Sequence, residues 1–338
     1  MRALVYDAPK EFSVREVPTP EPGPGQALVR VRACGICGTD LHLHEGEFLA
    51  AYPLIPGHEI AGEVAAVGPD VTGLPAGTRV VVDNTELCGH CFYCRRDLPL
   101  YCENFVSHGC NTAGGLAEYV LVPAAKVFPI RGLSWDEAIM VEPTACAVHG
   151  MDRIALTPGC DVLLLGAGPT GLVLAQLLKR NGAARLVVAA PAGAKLELAG
   201  ELAADETVAI DRADPAAAFA ALGHANPYGF DVVVEATGAA PLLAPALSLV
   251  RTGGQLIVYG VYPESATAAL SPYEIFRREI TVKGSFAQTH CFDRALAYLE
   301  SGAVRVDRLI TQRCALDDFA TALAGLSDRA TIKSVVLP

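Results

Sequence analysis

Four cysteines crowd into one short window, L-C-G-H-C-F-Y-C-R-R-D-L-P-L-Y-C, as Cys88, Cys91, Cys94 and Cys102. Their spacing is C-x2-C-x2-C-x7-C, and the tight turns it implies let four thiolates converge on one tetrahedral ion at about 2.3 Å. Four thiolates leave no open coordination position, so the expectation is a structural zinc that orders the lobe when it binds. An iron–sulfur cluster is the minor alternative. The neighbouring Arg95, Arg96 and Asp97 mark an exposed, charged loop and speak against four unpaired core cysteines. A second set has a different character. Cys37 lies in A-C-G-I-C-G-T-D-L-H, and His58 and Glu59 lie in P-G-H-E. A thiolate, an imidazole and a carboxylate in glycine-bracketed turns are the ligand types of an open, catalytic zinc, with Glu142 in V-E-P-T-A-C-A-V-H-G as a candidate fourth oxygen ligand. The histidines His44, His90, His108, His149, His224 and His290 have no second ligand type at a convincing spacing, and the six remaining cysteines read as buried free thiols.

A third constellation handles phosphate. Gly166, Gly168 and Gly171 form G-A-G-P-T-G, with Pro169 and Thr170 between them, directly after the apolar run Val162–Leu165 and directly before a helical pattern. In this strand–turn–helix context the glycines permit the tight turn, the approach of backbone to pyrophosphate and the close packing of helix on strand. The helix N-terminus then faces the phosphates. An acid is expected at the end of the second strand, where it would grip the adenosine ribose and repel a 2′-phosphate. Ala190 stands there instead, with Lys195 close by and Arg212 as a weaker candidate contact. Both NAD and NADP therefore remain open. Ala236 and Thr237 follow one apolar strand and Gly260 and Val261 the next, so all four belong to the carboxyl edge of a parallel sheet, where ligands bind. Ser285 is expected to close the same cleft.

The elements that must position these groups fall into two kinds. The first 130 residues read as short strands bounded by Gly, Pro or Asp, such as Ala27–Ala33, Gly62–Val67, Arg79–Val82 and Ala117–Val122. Trp135–Gly150 reads as helical with a break at Pro143. From Asp161 the rhythm becomes strand–helix–strand with continuous apolar strands, the pattern of a parallel sheet covered on both faces. A chain of 338 residues, 51% apolar and 19% charged, has material for two cores. Its formal charge of −11 disfavours nucleic acid as a partner. Eleven cysteines, an odd number, cannot all pair internally. No signal-peptide or membrane-span pattern is visible, so a reducing cytoplasm and no membrane partner are expected.

G-I-C-G-T-D, P-G-H-E about twenty residues on, the four-cysteine lobe, the later E-P and the dinucleotide glycines follow one another in an order that resembles the medium-chain zinc-dependent alcohol dehydrogenases. G-I-C-G-T-D together with Glu142 looks most like the polyol branch of sorbitol, arabinitol, butanediol and threonine dehydrogenases. The resemblance implies an α/β architecture: a doubly wound Rossmann sheet over about 148–284, and a mainly β, GroES-like catalytic domain over 1–147 and 285–338. It implies two zinc ions, one catalytic on Cys37, His58 and Glu59 and one structural on the four cysteines. Glu142 would ligate the catalytic zinc or hold its water, and Asp40 would orient His58. Thr39 and His42 match a proton relay: a hydroxyl two residues past a zinc thiolate reaches the reacting oxygen, and an imidazole gives the proton an exit near neutral pH. The implied activity is hydride transfer between a polyol, sugar or other secondary alcohol, or the matching ketone, and a nicotinamide cofactor, in a homodimer or homotetramer. An aldose dehydrogenase is the alternative enzyme, and a dinucleotide-binding protein without turnover the remote one.

Overall fold

A computed structural model describes residues 1–211 and 214–338. In chain order the elements that bear on the site are β1 (Gln26–Ile36), α1 (Gly38–Glu45), β2 (Glu59–Val67), β3 (Arg79–Val82), β4 (Tyr119–Pro123), β5 (Val127–Pro129), α2 (Val141–Ile154), β6 (Asp161–Leu165), α3 (Pro169–Arg180), β7 (Arg185–Ala190), α4 (Ala194–Leu202), β8 (Glu206–Ala209), β9 (Phe230–Glu235), β10 (Val250–Val258), β11 (Thr281–Gly284), β12 (Ile310–Ala315) and β13 (Lys333–Leu337). The chain divides into two compact units, Met1–Ala145 with Gln288–Pro338, and Cys146–Ala287.

The first unit is built on a seven-stranded sheet in the order β12-β13-β1-β2-β3-β5, with β4 also paired to β1. β12 and β13 run parallel, and the other pairs are antiparallel. Its core gathers β-branched and leucine side chains from these strands, among them Val29, Val31, Ile60, Val64, Val80 and Val82. One helix interrupts the region read as strands alone. α1 has no apolar stripe, and its buried residues are Asp40 and Leu43. Caps rather than burial periodicity define it, which is why a periodicity reading passes over it. A second adjustment concerns Pro143. The helical stretch breaks before it, between Trp135–Ala138 and α2, so the proline falls in the first turn of α2, where its missing N–H costs nothing.

The second unit is a six-stranded, all-parallel sheet in the order β8-β7-β6-β9-β10-β11. This is the 3-2-1-4-5-6 order of a doubly wound dinucleotide fold, with the reversal between β6 and β9. Its middle strands are buried on both faces, and Val162 to Leu165 are fully inaccessible to solvent. That accounts for their continuous rather than alternating apolar sequence.

Candidate active site

β1 ends at Ile36, and Cys37 turns the chain as the N-cap of α1 with an extended backbone. A capping box closes this end. The Cys37 Sγ accepts from the Thr39 N–H at 3.3 Å, and the Asp40 Oδ2 accepts from the Cys37 N–H at 2.8 Å. The positive end of a helix dipole thus sits on the sulfur. His58 and Glu59 arrive from the other side through Pro56-Gly57. Gly57 has φ 95°, and a Cβ on it would come within 2.7 Å of the Cys34 Sγ, so the turn that delivers the two side chains requires glycine.

The Cys37 Sγ lies 3.0 Å from His58 Nε2, and ligand atoms of Cys37, His58 and Glu59 all lie within 4.8 Å of one another. Two ligands of a tetrahedral zinc sit roughly 3.3–3.8 Å apart, given bonds of 2.0–2.3 Å. His58 and Glu59 are buried, as is Asp40. Asp40 Oδ1, His58 Nδ1 and Glu59 Oε2 have no hydrogen-bond partner among the described residues. Buried polar atoms of this kind are costly unless something satisfies them, and a cation held by Cys37 Sγ, His58 Nε2 and Glu59 would satisfy Glu59 Oε2, the one of the three that belongs to the ligand set. The other Glu59 oxygen, Oε1, takes a hydrogen bond from the Nζ of Lys333, equally buried. Burial disfavours the Lys333 charge, but Glu59, Cys37 and Asp40 together outweigh it and raise the pKa. Burial likewise opposes the His58 charge, and the neighbouring Cys37 and Asp40 overcome it, so the imidazole titrates well above its ordinary value. Burial pushes the Asp40 carboxyl up. Asp40 Oδ1 stands 3.8 Å from His58 Nδ1, at ion-pair rather than hydrogen-bond distance.

Glu142 does not belong to the convergent set; it occupies the first turn of α2 and is partly exposed. Thr39 and His42 share α1 three residues apart, on one face. The His42 Nδ1 is hydrogen-bonded to Glu47 Oε2 at 2.8 Å. Lys333 and Glu47 were absent from the sequence reading. Cys110, read as a free core thiol, is buried and free.

The four lobe cysteines converge as well, with every sulfur within 4.8 Å of the others. Cys91 N–H donates to Cys88 Sγ at 3.3 Å, and Cys88 and Asn104 N–H groups donate to Cys102 Sγ at 3.3 and 3.4 Å. Such bonds favour the anionic sulfur. Hydrogen bonds from Asn104 and from the His90 backbone bring the Cys88 thiol down to about 5. This donor set fits a closed tetrahedral ion with no position left for a substrate. All eleven cysteines are free thiols.

In the second unit the G-A-G-P-T-G turn joins β6 to α3. Gly166 has φ 114°, and a Cβ on Gly171 would lie 2.5 Å from the Gly166 carbonyl oxygen. Gly168 is the N-cap of α3 with Pro169 at N1, and a Cβ there would meet only open space. The first-turn N–H groups that follow, those of Thr170 and Gly171, have no acceptor inside the helix, which is what a pyrophosphate needs. Ala190 is the last residue of β7 and buried, and Lys195 lies in the first turn of α4. Arg212 falls outside the described residues. Ala236 hooks back through its N–H to the Leu165 carbonyl at 2.9 Å, and Ser285 to Val258 at 3.0 Å. Thr237, Gly238, Gly260 and Val261 meet so closely that a Cβ on Gly238 would lie 2.1 Å from the Val261 oxygen. Glu235, fully buried and also missed in sequence, organises these turns. It accepts from the Thr237 and Gly238 N–H groups at 2.8 and 3.2 Å and from the hydroxyls of Thr237 and Tyr262.

Zinc-ligand geometry and a doubly wound dinucleotide fold in one chain define a zinc-dependent dehydrogenase, and the family comparisons agree. The alcohol dehydrogenase GroES-like domain matches residues 23–132, and the zinc-binding dehydrogenase domain matches residues 169–301. The chain belongs to the medium-chain zinc-dependent alcohol dehydrogenases, among their polyol-dehydrogenase relatives. It is 49% identical to D-arabinitol dehydrogenase 1 of Uromyces fabae over 100% of this chain and 97% of that one. It is 36% identical to D-altritol 5-dehydrogenase of Agrobacterium fabrum (strain C58 / ATCC 33970), covering 98% of each. Among solved structures, a protein of Sinorhizobium meliloti 1021 described as a zinc-binding dehydrogenase and bound to NADP superposes with a TM-score of 0.93 at 34% identity, covering 100% of this chain and 99% of that one.

Proposed function

We propose that this protein oxidises a secondary hydroxyl of a polyol or related secondary alcohol to the ketone, and runs the reverse reduction, with NAD or NADP. The observation that carries the reading is the convergence of the Cys37, His58 and Glu59 ligand atoms, with the buried Glu59 Oε2 lacking a hydrogen-bond partner. Full-length similarity to arabinitol and altritol dehydrogenases supports the substrate class, and the NADP-bound relative supports the cofactor.

Cys37, His58 and Glu59 would hold the catalytic zinc, and Cys88, Cys91, Cys94 and Cys102 the structural one. When bound, the catalytic zinc supplies a Lewis acid for the substrate oxygen and the nicotinamide supplies the acceptor for the carbinol hydride. The residues of α1 manage the proton. The Thr39 hydroxyl accepts the hydroxyl proton of the substrate as it passes on its own, and His42 takes it towards solvent. Asp40 keeps the Cys37 turn closed through its bond to the Cys37 N–H. Glu142 would serve as an oxygen ligand or water holder of the same centre. At the other site, the first turn of α3 binds the pyrophosphate, and Ala236, Thr237, Gly260, Val261 and Ser285 frame the nicotinamide half. Ala190 leaves the ribose without a carboxylate, with Lys195 and Arg212 as contacts for a 2′-phosphate. The reading includes a cytoplasmic homodimer or homotetramer without nucleic-acid or membrane partners. The net charge of −11 supports the absence of nucleic acid, and no helix among the described residues is long and apolar enough to cross a membrane.

A panel of pentitols, hexitols, butanediol, threonine and aldoses, assayed with each cofactor and with or without chelator, tests the proposal. The expected result is chelator-sensitive turnover on polyols that Cys37→Ser abolishes. Full activity in Cys37→Ser would sink the catalytic assignment, and turnover confined to aldoses would replace the substrate class.

A further inference from the structure

We propose that Glu47 is the positioning residue of the proton path: it fixes His42 in the tautomer whose Nε2 is the proton acceptor. The proposal rests on the reading of His42 as a relay, and its support is geometric. α1 ends at Gly46, which adopts the left-handed conformation with φ 84°. The Gly46 N–H bonds back to the Leu43 carbonyl at 3.1 Å, and the Glu47 N–H to the His42 carbonyl at 2.8 Å. These are the two bonds of a Schellman closure, and they fold the residue after the glycine back over the last turn of the helix. The Glu47 side chain is thereby delivered to the imidazole of the residue its own backbone already grips. Oε2 meets His42 Nδ1 at 2.8 Å, with the two side chains only 31% and 16% exposed.

An ionised carboxylate only accepts hydrogen bonds, so Nδ1 carries the hydrogen and Nε2 carries the lone pair. A relay needs that arrangement: a base at the free nitrogen and a fixed ring plane. Two neighbouring side chains are engaged elsewhere. His44 Nδ1 is bonded to the Tyr6 hydroxyl at 2.8 Å, and Glu45 is paired with Lys10. A purely structural role for Glu47 would show in stability alone, whereas a tautomer role shows in the ring hydrogen and in kcat.

The test separates the two. Zinc-loaded protein carrying 15N-labelled histidine is studied by long-range 1H–15N correlation at pH 8, with the His42 signals identified by their loss in His42→Gln. The unmodified protein should show Nδ1–H and a bare Nε2. Glu47→Leu should convert His42 to Nε2–H or a mixture, and lower kcat about ten- to a hundredfold with little change in the KM for cofactor. Glu47→Gln, whose amide oxygen accepts the same hydrogen, should retain the tautomer and most of kcat. The backbone closure survives in all three, so folding is not at issue. A His42 that carries Nε2–H in the unmodified protein, or an unchanged tautomer in Glu47→Leu, overturns the role of Glu47. Unchanged turnover in His42→Ala instead overturns the relay itself, a separate result.

Discussion

Lys333 and Glu59 form an ion pair across the strand that lies between them. Lys333 belongs to β13 and Glu59 to β2, and β1 runs between these strands in the sheet. The crossing point is Gly35, which faces Glu59 in the β1–β2 register and Val335 in the β1–β13 register. A Cβ on Gly35 would lie 1.8 Å from Glu59 Oε2. The glycine therefore opens the window through which a carboxylate beside the candidate metal centre meets a cation near the C-terminus.

Breaking that pair should be expensive. Removing one partner of a buried pair leaves an uncompensated charge, at a cost of about 3–5 kcal/mol. In chelator-treated protein, Lys333→Met should lower the urea midpoint accordingly, and adding Glu59→Gln should recover most of the loss. Equal midpoints for the unmodified and Lys333→Met proteins would show that the pair contributes nothing to stability.

The two convergent ligand sets predict metal content. Protein purified without chelator should contain close to two zinc ions per chain by elemental analysis. Cys91→Ser should lose one of them together with thermal stability, because lobe folding is coupled to the closed site. Cys37→Ser should lose the other with its circular dichroism intact. A single zinc in the unmodified protein would refute one of the two sites.

Cofactor choice should turn on Ala190. A hydrogen bond to a charged group is worth roughly 1.5–3 kcal/mol, and the unmodified strand end offers none to the ribose. The kcat/KM values for NAD and NADP should then lie within about a hundredfold of each other or favour NADP. Ala190→Asp should swing the ratio towards NAD by at least tenfold, about 1.4 kcal/mol. An NAD preference above about a thousandfold in the unmodified protein would mean that another residue grips the ribose.

Acid sensitivity should appear near the cysteine lobe. His108 Nε2 lies 2.5 Å from Glu86 Oε1, and that hydrogen bond holds the Glu86 carboxyl below its ordinary value. A carboxylate whose folded pKa is depressed stabilises the protein above its unfolded pKa, near 4.3, and the contribution disappears as pH falls through the lower, folded value. Melting temperature followed from pH 6 to pH 3 should fall less steeply in Glu86→Gln than in the unmodified protein. Parallel curves would show that the pair has no part in acid unfolding.

The legible part of the site is the part written in short segments. Cys37, His58 and Glu59 announce themselves because ligand types and turn glycines sit within a few residues of each other, and the G-A-G-P-T-G turn follows an unmistakable buried strand. Lys333 could not be read, since a lysine opening K-S-V-V-L looks like a strand edge and its partner stands 274 residues away. Glu235 is hidden in the same way, as one acid ending an apolar strand whose partner hydroxyl arrives from the next turn. Glu47 had a local signal, the glycine at 46 that closes the helix. It went unread because α1 lacks the apolar periodicity by which helices are found.

Cys37 has two places on one sulfur: it caps the helix that bears Thr39 and His42, and it belongs to the convergent set of Cys37, His58 and Glu59. An electrophile that alkylates it would remove a metal ligand and the helix cap in a single event, and Cys34 and Cys110, both buried nearby, have no place at that N-terminus from which to substitute. One chemical event at the end of β1 would thus undo two parts of the candidate site at once.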